Sequence, residues 1–472
     1  MFFMLKYNKN YGSSKKEKMY SMNTDRNIVA ISTSIGSGGI SIIRMSGKSV
    51  LDIAKTVFSP MKKGEFLEPR KLTLGTFKYE DISDKCMAVY FKAPFSYTGE
   101  DIVEFHIHGG VTLTNKVYES LVNSGCEPAT KGEFSKLAFL NGKMSLDEAE
   151  GVIDLINAES ESELRAGYDL VQGRLKGEVE KLQAVLTETL AKIEVTLDYP
   201  EEDLEEESVE FIRSRLVSSK EKILELLSTA ELGKAIKEGT KILIYGKTNA
   251  GKSSLLNSLL NYDRAIVTDI QGTTRDVIEE TFVYKGFKFI LMDTAGIRNT
   301  EDIVEKIGID RSRQSLKSAD IVLFVVDSSM ALSQEDYDII EEIKGKTVIT
   351  VINKCDLDTK CDLSKIPFEN RVNISTATGE GIDRLKEELL SFVTNKNINN
   401  NSLVITNRRH IESLKSASNN LDTAINNLDM GIDLDLISID IKASWLNLGD
   451  ITGNSDNEKI IDEIFSKFCV GK

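Results

Sequence analysis

The residues best placed to do chemistry form the run Gly246-Lys-Thr-Asn-Ala-Gly-Lys-Ser253. This fits GxxxxGK followed by Ser or Thr. Its glycines let backbone N–H groups turn inward around a phosphate chain. Lys252 brings a positive charge to the outer phosphates, and the Ser253 hydroxyl is a ligand for Mg²⁺. Ala250, Gly251 and Ser254 complete the loop and open a helix whose N-terminal dipole favours an anion. Further on, Gly272-Thr-Thr-Arg-Asp276 carries threonines that reach a metal or the terminal phosphate. In Asp293-Thr-Ala-Gly296, Asp293 holds the metal's water shell and the Gly296 N–H senses the terminal phosphate. Thr294 and Ala295 lie between them. In Asn353-Lys-Cys-Asp356, the Asp356 carboxylate accepts two N–H protons of guanine, a pattern adenine does not offer. Ser375, Thr376 and Ala377 pack the base, with Asn353 and Lys354 beside them. The order and spacing of these five motifs select a guanine nucleotide over an adenine one.

The hydrolytic machinery departs from that of small regulatory GTPases. Ile297 follows Gly296 where they carry a water-positioning glutamine, and an alkyl chain cannot orient water. Another group must take part. Asn249, inside the phosphate loop, offers an oxygen to a monovalent cation whose charge would do what an arginine finger does elsewhere. Arg275 is a second candidate, with a switch-stabilising ion pair as its alternative role. Glu305 is a third, though by chemistry alone it is one of several acids with Glu301 and Asp302.

These motifs need strand ends and helix starts to hold them. Ile242 to Ile244, Phe289 to Met292, Ile321 to Val326 and Val348 to Ile352 are continuous apolar runs, expected for parallel strands buried on both faces. Upstream, Ile28 to Ile31, Ile40 to Ile43, Ala88 to Phe91 and Ile102 to Phe105 alternate with Gly and charged turns, predicting a small α+β domain. Leu175, Val179, Leu182, Leu186, Leu190, Ile193 and Leu197 make one apolar helical stripe, which Pro200 and the acidic run 201–207 stop. The Asn-rich run 395–401 reads as a linker, and a helical pattern returns from Thr406. The expected organisation has an extension over 1–22, an α+β domain over 23–141 and a helical domain over 142–238. A P-loop nucleotide domain with a mostly parallel sheet follows over 239–396, and the helical domain resumes over 397–472. The helical domain is therefore discontinuous, with the nucleotide domain inserted into it. The fold class is multidomain α/β plus α.

The 472 residues are 41% hydrophobic and 28% charged, the balance of a globular chain with ample core. No run approaches the ~20 apolar residues of a membrane span. The first 22 residues lack the apolar run of a secretory signal, so a cytoplasmic protein is expected, with Met19 or Met22 as alternative starts. A net charge of −15 argues against a broad nucleic-acid surface but leaves room for a local one. The five cysteines, Cys86, Cys126, Cys355, Cys361 and Cys469, contain no CxxC pair and fit a reducing compartment. Cys469 invites a nucleophile reading, but sequence physics favours a packed thiol. His106 and His108 alternate on one strand and are expected in a polar network rather than a metal site. His410 is expected to brace helix packing, and Trp445 to fill a core.

Several segments outside the nucleotide motifs resemble one family. They are Gly38-Gly-Ile-Ser-Ile-Ile-Arg-Met-Ser-Gly47, Tyr97-Thr-Gly-Glu-Asp-Ile-Val-Glu-Phe-His-Ile-His-Gly-Gly110, Gly132-Glu-Phe-Ser135 and Ala138-Phe-Leu-Asn-Gly-Lys143. Toward the end come Thr406-Asn-Arg-Arg-His410, Gly449-Asp-Ile-Thr-Gly453 and Phe468-Cys-Val-Gly-Lys472. From about residue 27 the chain resembles the MnmE (TrmE) family of tRNA wobble-uridine modification GTPases. The resemblance implies a homodimer through the N-terminal domains. It implies a formyl- or methylene-tetrahydrofolate donor bound there by Arg44, Glu104, Lys143 and Lys472. It implies a K⁺ site of Asn249, Thr268, Ile270 and Thr273, and Mg²⁺ on Ser253 and Thr274. Asp269, Gln271 and Gly272 join the nucleotide-binding segment, and Glu305 falls on the family's catalytic glutamate. The implied partners are tRNA and FAD-dependent MnmG (GidA), in a heterotetrameric complex, with no membrane. Together they would install a carboxymethylaminomethyl or aminomethyl group on the wobble uridine. The departures are Lys247-Thr248, where the family often has Arg-Pro, and Val470, where Ile is usual. A competing reading, a regulatory or ribosome-assembly GTPase without modification chemistry, accounts for the nucleotide motifs but not for Arg44, Glu104, Lys143 and the C-terminal segment.

Overall fold

The computed structural model describes residues 26–62, 66–198, 205–262, 279–292, 315–394, 403–454 and 458–472. The chain forms two compact units. One is the N-terminal segment through Ile153 joined by Gly449–Lys472, and the other is Asp154–Leu448. The helical segment expected over 397–472 is thus divided between them, because its last residues pack onto the N-terminal unit.

In the first unit the strands are β1 (Ile28–Ile31), β2 (Ile40–Ser46), β3 (Phe58–Pro60), β4 (Thr73–Tyr79), β5 (Ile82–Phe91), β6 (Ile102–His108) and β7 (Glu127–Pro128). They form one sheet in the order β3-β4-β5-β6-β2-β1-β7. All pairings are antiparallel except β1 with β7. One face is apolar: Ile43, Met45, Ala88, Val103, Phe105 and Ile107 bury themselves against helices α1 (Val50–Val57) and α2 (Val111–Asn123). The alternating residues Arg44, Glu104 and His106 therefore lie on the opposite face. Helices α3 (Glu133–Leu140), α4 (Leu146–Asn157) and the C-terminal helix (Glu458–Ser466) share a separate cluster around Phe139, Leu146, Phe465 and Phe468.

The second unit begins within α4 and continues through α5 (Glu161–Val171), α6 (Arg174–Asp198), α7 (Glu205–Ser228) and α8 (Ala230–Glu238). The α6 stripe is buried at Leu175, Val179, Leu182, Leu186 and Ile193, but Leu197 reaches solvent. The nucleotide motifs sit on a sheet of β8 (Thr240–Tyr245), β9 (Glu279–Tyr284), β10 (Phe287–Met292), β11 (Ile321–Asp327), β12 (Val348–Asn353) and β13 (Arg371–Asn373). Its order is β13-β12-β11-β8-β10-β9, parallel except for the β9–β10 hairpin. Every residue of β11 and β12 is buried, as continuous apolar runs require. Helices α9 (Lys252–Tyr262), α10 (Gln334–Glu342) and α11 (Ile382–Thr394) cover it, and two apolar clusters lie on its opposite faces. Helices α12 (Arg408–Asp429) and α13 (Leu434–Thr452) return to the helical part, where α12 packs along α7. The final helix, Glu458–Ser466, is α14.

His410 is buried in α12, as expected of a packing residue. Trp445 is half-buried, and its indole N–H donates to Thr187 Oγ1 at 3.1 Å, so it closes a helix contact rather than filling a core. Among the described residues no helix is long and apolar enough to cross a membrane, and no His, Cys, Asp and Glu cluster could hold a metal.

Candidate functional site

The nucleotide site forms where the parallel strands end. The loop 246–251 leaves β8 and runs into α9, so the helix starts at Lys252. The Lys252 ammonium donates to the carbonyls of Gly246 at 2.6 Å and Lys247 at 2.8 Å. Burial lowers its pKa. The partly desolvated ammonium is thus satisfied by two neutral carbonyls. Asn353, at the end of β12, is fully buried, and its amide donates to the Ala250 carbonyl at 2.9 Å. Its side-chain oxygen accepts the backbone N–H of Lys354 at 2.8 Å and of Thr376 at 3.2 Å. One side chain thus ties together the phosphate loop and both base-side motifs. The fit is tight: a Cβ on Gly251, at φ +100°, would lie 2.1 Å from Asn353 Nδ2.

Lys354 holds φ +64° and pairs with Asp327 at 2.6 Å. Burial disfavours the Asp327 carboxylate, but Lys354 and the Ser329 hydroxyl and N–H outweigh it and hold its pKa below the usual range. Asp356 is exposed, Ser375 is buried, and Ala377 is exposed. Asn249 is exposed, with φ +64°. Ser253 is half-buried and Ser254 exposed at the first turn of α9. Thr268, Asp269, Ile270, Gln271, Gly272, Thr273 and Thr274 lie outside the described residues, as do Arg275, Asp293, Thr294, Ala295, Gly296 and Glu305.

A second site lies in the N-terminal unit. A cavity of about 350 Å³ is lined by Arg44, Phe91, Tyr97, Ile102, Glu104, Val152 and Lys472. Strand register sets Arg44 directly opposite Glu104, and the guanidinium donates to the carboxylate at 2.7 Å. The Arg44 guanidinium also sits 5.7 Å from the ring centres of Tyr97 and Phe134. Burial opposes charge on Glu104, but a 3.4 Å contact with His106 Nε2 and the Arg44 charge hold its pKa below the ordinary range. His108 pairs with buried Asp84 at 2.6 Å. Both histidines therefore belong to polar networks, as expected.

Lys472 arrives through the C-terminal tail. The Gly471 carbonyl accepts from Ser32 Oγ at 3.3 Å and Arg44 at 3.5 Å, and Val470 bridges to Lys131. Cys469 is exposed, which corrects the expectation of a packed thiol: the tail is held through Val470 and Gly471, and this side chain is left in solvent. By contrast, burial drives the Cys126 and Cys86 thiols up to about 12 and about 11, so these are inert. Lys143 does not line the cavity. Its side chain lies beside Gly99, two residues from Tyr97. Sequence reasoning did not place the apolar walls Phe91, Tyr97, Ile102 and Val152 at this site, although Phe91, Tyr97 and Ile102 fall inside segments that stood out.

Two family models match the chain: the GTP-binding protein TrmE N-terminus over residues 27–143, and the MnmE helical domain over 146–469. The tRNA modification GTPase MnmE of Clostridioides difficile strain 630 is 42% identical over 456 residues, covering 95% of this chain and 99% of that protein. Its counterpart in Bacillus pumilus strain SAFR-032 is 40% identical over 456 residues, covering 94% and 99%. Among solved structures, the G domain of the T. maritima FeoB iron transporter aligns at 30% identity over 33% of this chain and 99% of that one. Its TM-score of 0.26 leaves the architecture to rest on the strand order described above. With matched models spanning nearly its whole length and full-length relatives at this identity, the chain belongs to the MnmE family of tRNA modification GTPases.

Proposed function

We propose that this protein is a K⁺-activated GTPase that modifies the wobble uridine of tRNA at C5. It would act as a homodimer in a heterotetrameric complex with FAD-dependent MnmG. The added carboxymethylaminomethyl or aminomethyl group would draw its carbon from formyl- or methylene-tetrahydrofolate. The observation that carries the reading is the convergence of Lys252, Gly251 and Asn353 at one edge of the parallel sheet, where Asn353 bridges the phosphate loop to the base-side motifs. We further propose a cytoplasmic location and the domain limits 23–141, 142–238, 239–396 and 397–472.

On this reading Lys252 leaves the Gly246 and Lys247 carbonyls for phosphate oxygens. Asp356 accepts the guanine N–H protons, and the Lys354 stem, steadied by Asp327, lies along the base. The N–H groups at the start of α9 fit a phosphate chain, and a Cβ at position 251 would have no room. Ser253 and Thr274 would hold Mg²⁺. Asn249, Thr268, Ile270 and Thr273 would hold K⁺, and Glu305 would orient the water. Bound cations supply the positive charge that stabilises the separating phosphate.

The N-terminal cavity suits a flat heterocycle with N–H donors. The carboxylate of Glu104 accepts them, Arg44 and Lys472 face anionic groups, and Phe91 and Tyr97 supply apolar walls. Lys143, whose stem lies beside Gly99, would be a further cation for the ligand. Exposed Cys469, three residues before Lys472, is the candidate for chemistry on the one-carbon unit.

The test is GTP turnover in matched KCl and NaCl buffers, with Glu305→Ala alongside. Turnover should rise strongly in KCl, and Glu305→Ala should bind GTP yet turn it over slowly. Equal rates in the two salts would defeat cation activation and favour a plain switch.

A further inference from the structure

The phosphate loop is anchored at a second point, on Asp336, which lies outside all of the nucleotide motifs. Lys247, second in the loop, sends its ammonium to Asp336 Oδ2 at 2.9 Å. The pair is dry, with side-chain exposures of 12% and 0%. Asp336 stands in the first turn of α10, where the same oxygen accepts the Ser333 backbone N–H at 2.8 Å and its hydroxyl at 2.7 Å. The other oxygen, Oδ1, is buried with no hydrogen-bond partner among the described residues. Lys247 is therefore the only cation seen within ion-pair reach of this carboxylate among the described residues. Burial opposes the charge on Asp336, while hydrogen bonds from Ser333 and Lys247 outweigh it and hold its pKa below the usual carboxylate range.

The main chain of Lys247 connects this anchor to the phosphate site. Its carbonyl accepts both the Lys252 ammonium at 2.8 Å and the Ala250 N–H at 3.3 Å. Tethering the Lys247 side chain therefore fixes the carbonyl on which Lys252 rests. We infer that Lys247 and Asp336 are a positioning pair: through them the capped start of α10 holds the phosphate loop in its binding shape and sets nucleotide affinity. Asn353 holds the far side of the same loop from β12. The two anchors divide the labour, with Asn353 coupling the loop to the base motifs and Asp336 coupling it to α10. An Arg at position 247 would keep the charge, and a Pro at 248 would stiffen the turn chemically. This chain has Thr248 there, which leaves more of the constraint to the ion pair.

The inference rests on the phosphate site proposed above, so the experiment separates the two. Fluorescent GDP and GTP would be titrated into full-length wild type, Lys247→Met, Lys247→Arg, Asp336→Asn and Lys252→Ala, with turnover and apo melting temperature measured in parallel. Lys247→Met should weaken both nucleotides by about tenfold and raise KM equally. At saturating GTP its kcat should stay near wild type, and Lys247→Arg should restore affinity. Asp336→Asn should match Lys247→Met; if it does not fold, the Met and Arg pair decides alone. A merely structural ion pair would lower the melting temperature of Lys247→Met and leave affinity within about twofold, and that result overturns the inference. If Lys252→Ala binds nucleotide normally, the phosphate site itself is wrong. If it loses binding while Lys247→Met keeps it, only the positioning pair fails.

Discussion

The nucleotide site and the N-terminal cavity are assembled by different means. In the first, one short loop fixed where β8 meets α9 is held together with the side chains of Lys252 and Asn353. In the second, side chains from residues 44, 104, 152 and 472 are brought together by strand register and by the returning tail. Backbone donors cannot be deleted by trimming a side chain; they fail when an added atom pushes the loop out of shape. A site assembled from side chains fails the other way, when one partner is removed and its counter-charge is left behind. The loop should thus be especially sensitive to added bulk, and the cavity chiefly to the loss of one member of a charge pair.

The largest expected effect follows on the nucleotide side. Gly251→Ala adds a Cβ 2.1 Å from Asn353 Nδ2 at a φ of +100°, so the loop must shift and the Asn353 bridge to Ala250 must break. Strain and the lost bond together correspond to roughly a hundredfold loss of GTP affinity. A nucleotide titration checks this. Affinity within about threefold of wild type would mean that the loop adapts, and the contrast between the regions would collapse.

On the cavity side the partner-deletion rule predicts a smaller loss. Glu104→Gln keeps the shape but leaves the Arg44 guanidinium partly buried without its carboxylate. The pair is 21% and 13% exposed, so the cost is about 2 kcal/mol, below that of a fully buried pair. Denaturant unfolding measures it. The pH dependence has a definite sign. Glu104 titrates lower in the folded state than in the unfolded one, so its contribution is fully present above the unfolded value. That contribution disappears as pH falls through the folded value. The stability gap between wild type and Glu104→Gln should therefore be constant near neutrality and close on the acid side. A gap that widened in acid would reverse the assigned cause.

The same contrast decides how much could be read from the sequence. Lys252, Asn353 and Asp356 stood out in the sequence because each belongs to a short motif, and local spacing survives in one dimension. The strands beneath them were equally plain, since burial on both faces leaves uninterrupted runs such as Ile321 to Val326. The cavity was not legible in that way. Arg44 and Glu104 are 60 residues apart, and only the β2–β6 register makes them neighbours. Phe91 and Val152 look like any core residue. Here resemblance supplied Arg44, Glu104 and Lys472, and spacing had nothing to add. Lys247 and Asp336 stayed hidden for the same reason, being 89 residues apart and joined by tertiary packing alone. Cys469 misled because exposure is set by how the tail is held, which its neighbours in sequence do not encode.

The smallest effect tests where the assembled site ends. Resemblance places Lys143 among the cavity's ligand contacts, yet the lining comprises Lys472 and not Lys143. Lys143 is exposed, and its stem runs beside Gly99 rather than into the cavity. A solvated ammonium at that distance contributes a weak, screened attraction, so Lys143→Ala should reduce binding of a tetrahydrofolate by about threefold, and less at high salt. Lys472→Ala, which removes a lining residue, should cost more, about tenfold. Calorimetric titration of both variants at two salt concentrations separates the cases. If Lys143→Ala proves the costlier change and is insensitive to salt, then Lys143 turns inward on ligand binding, and the side-chain site is assembled partly by its ligand rather than wholly by strand register.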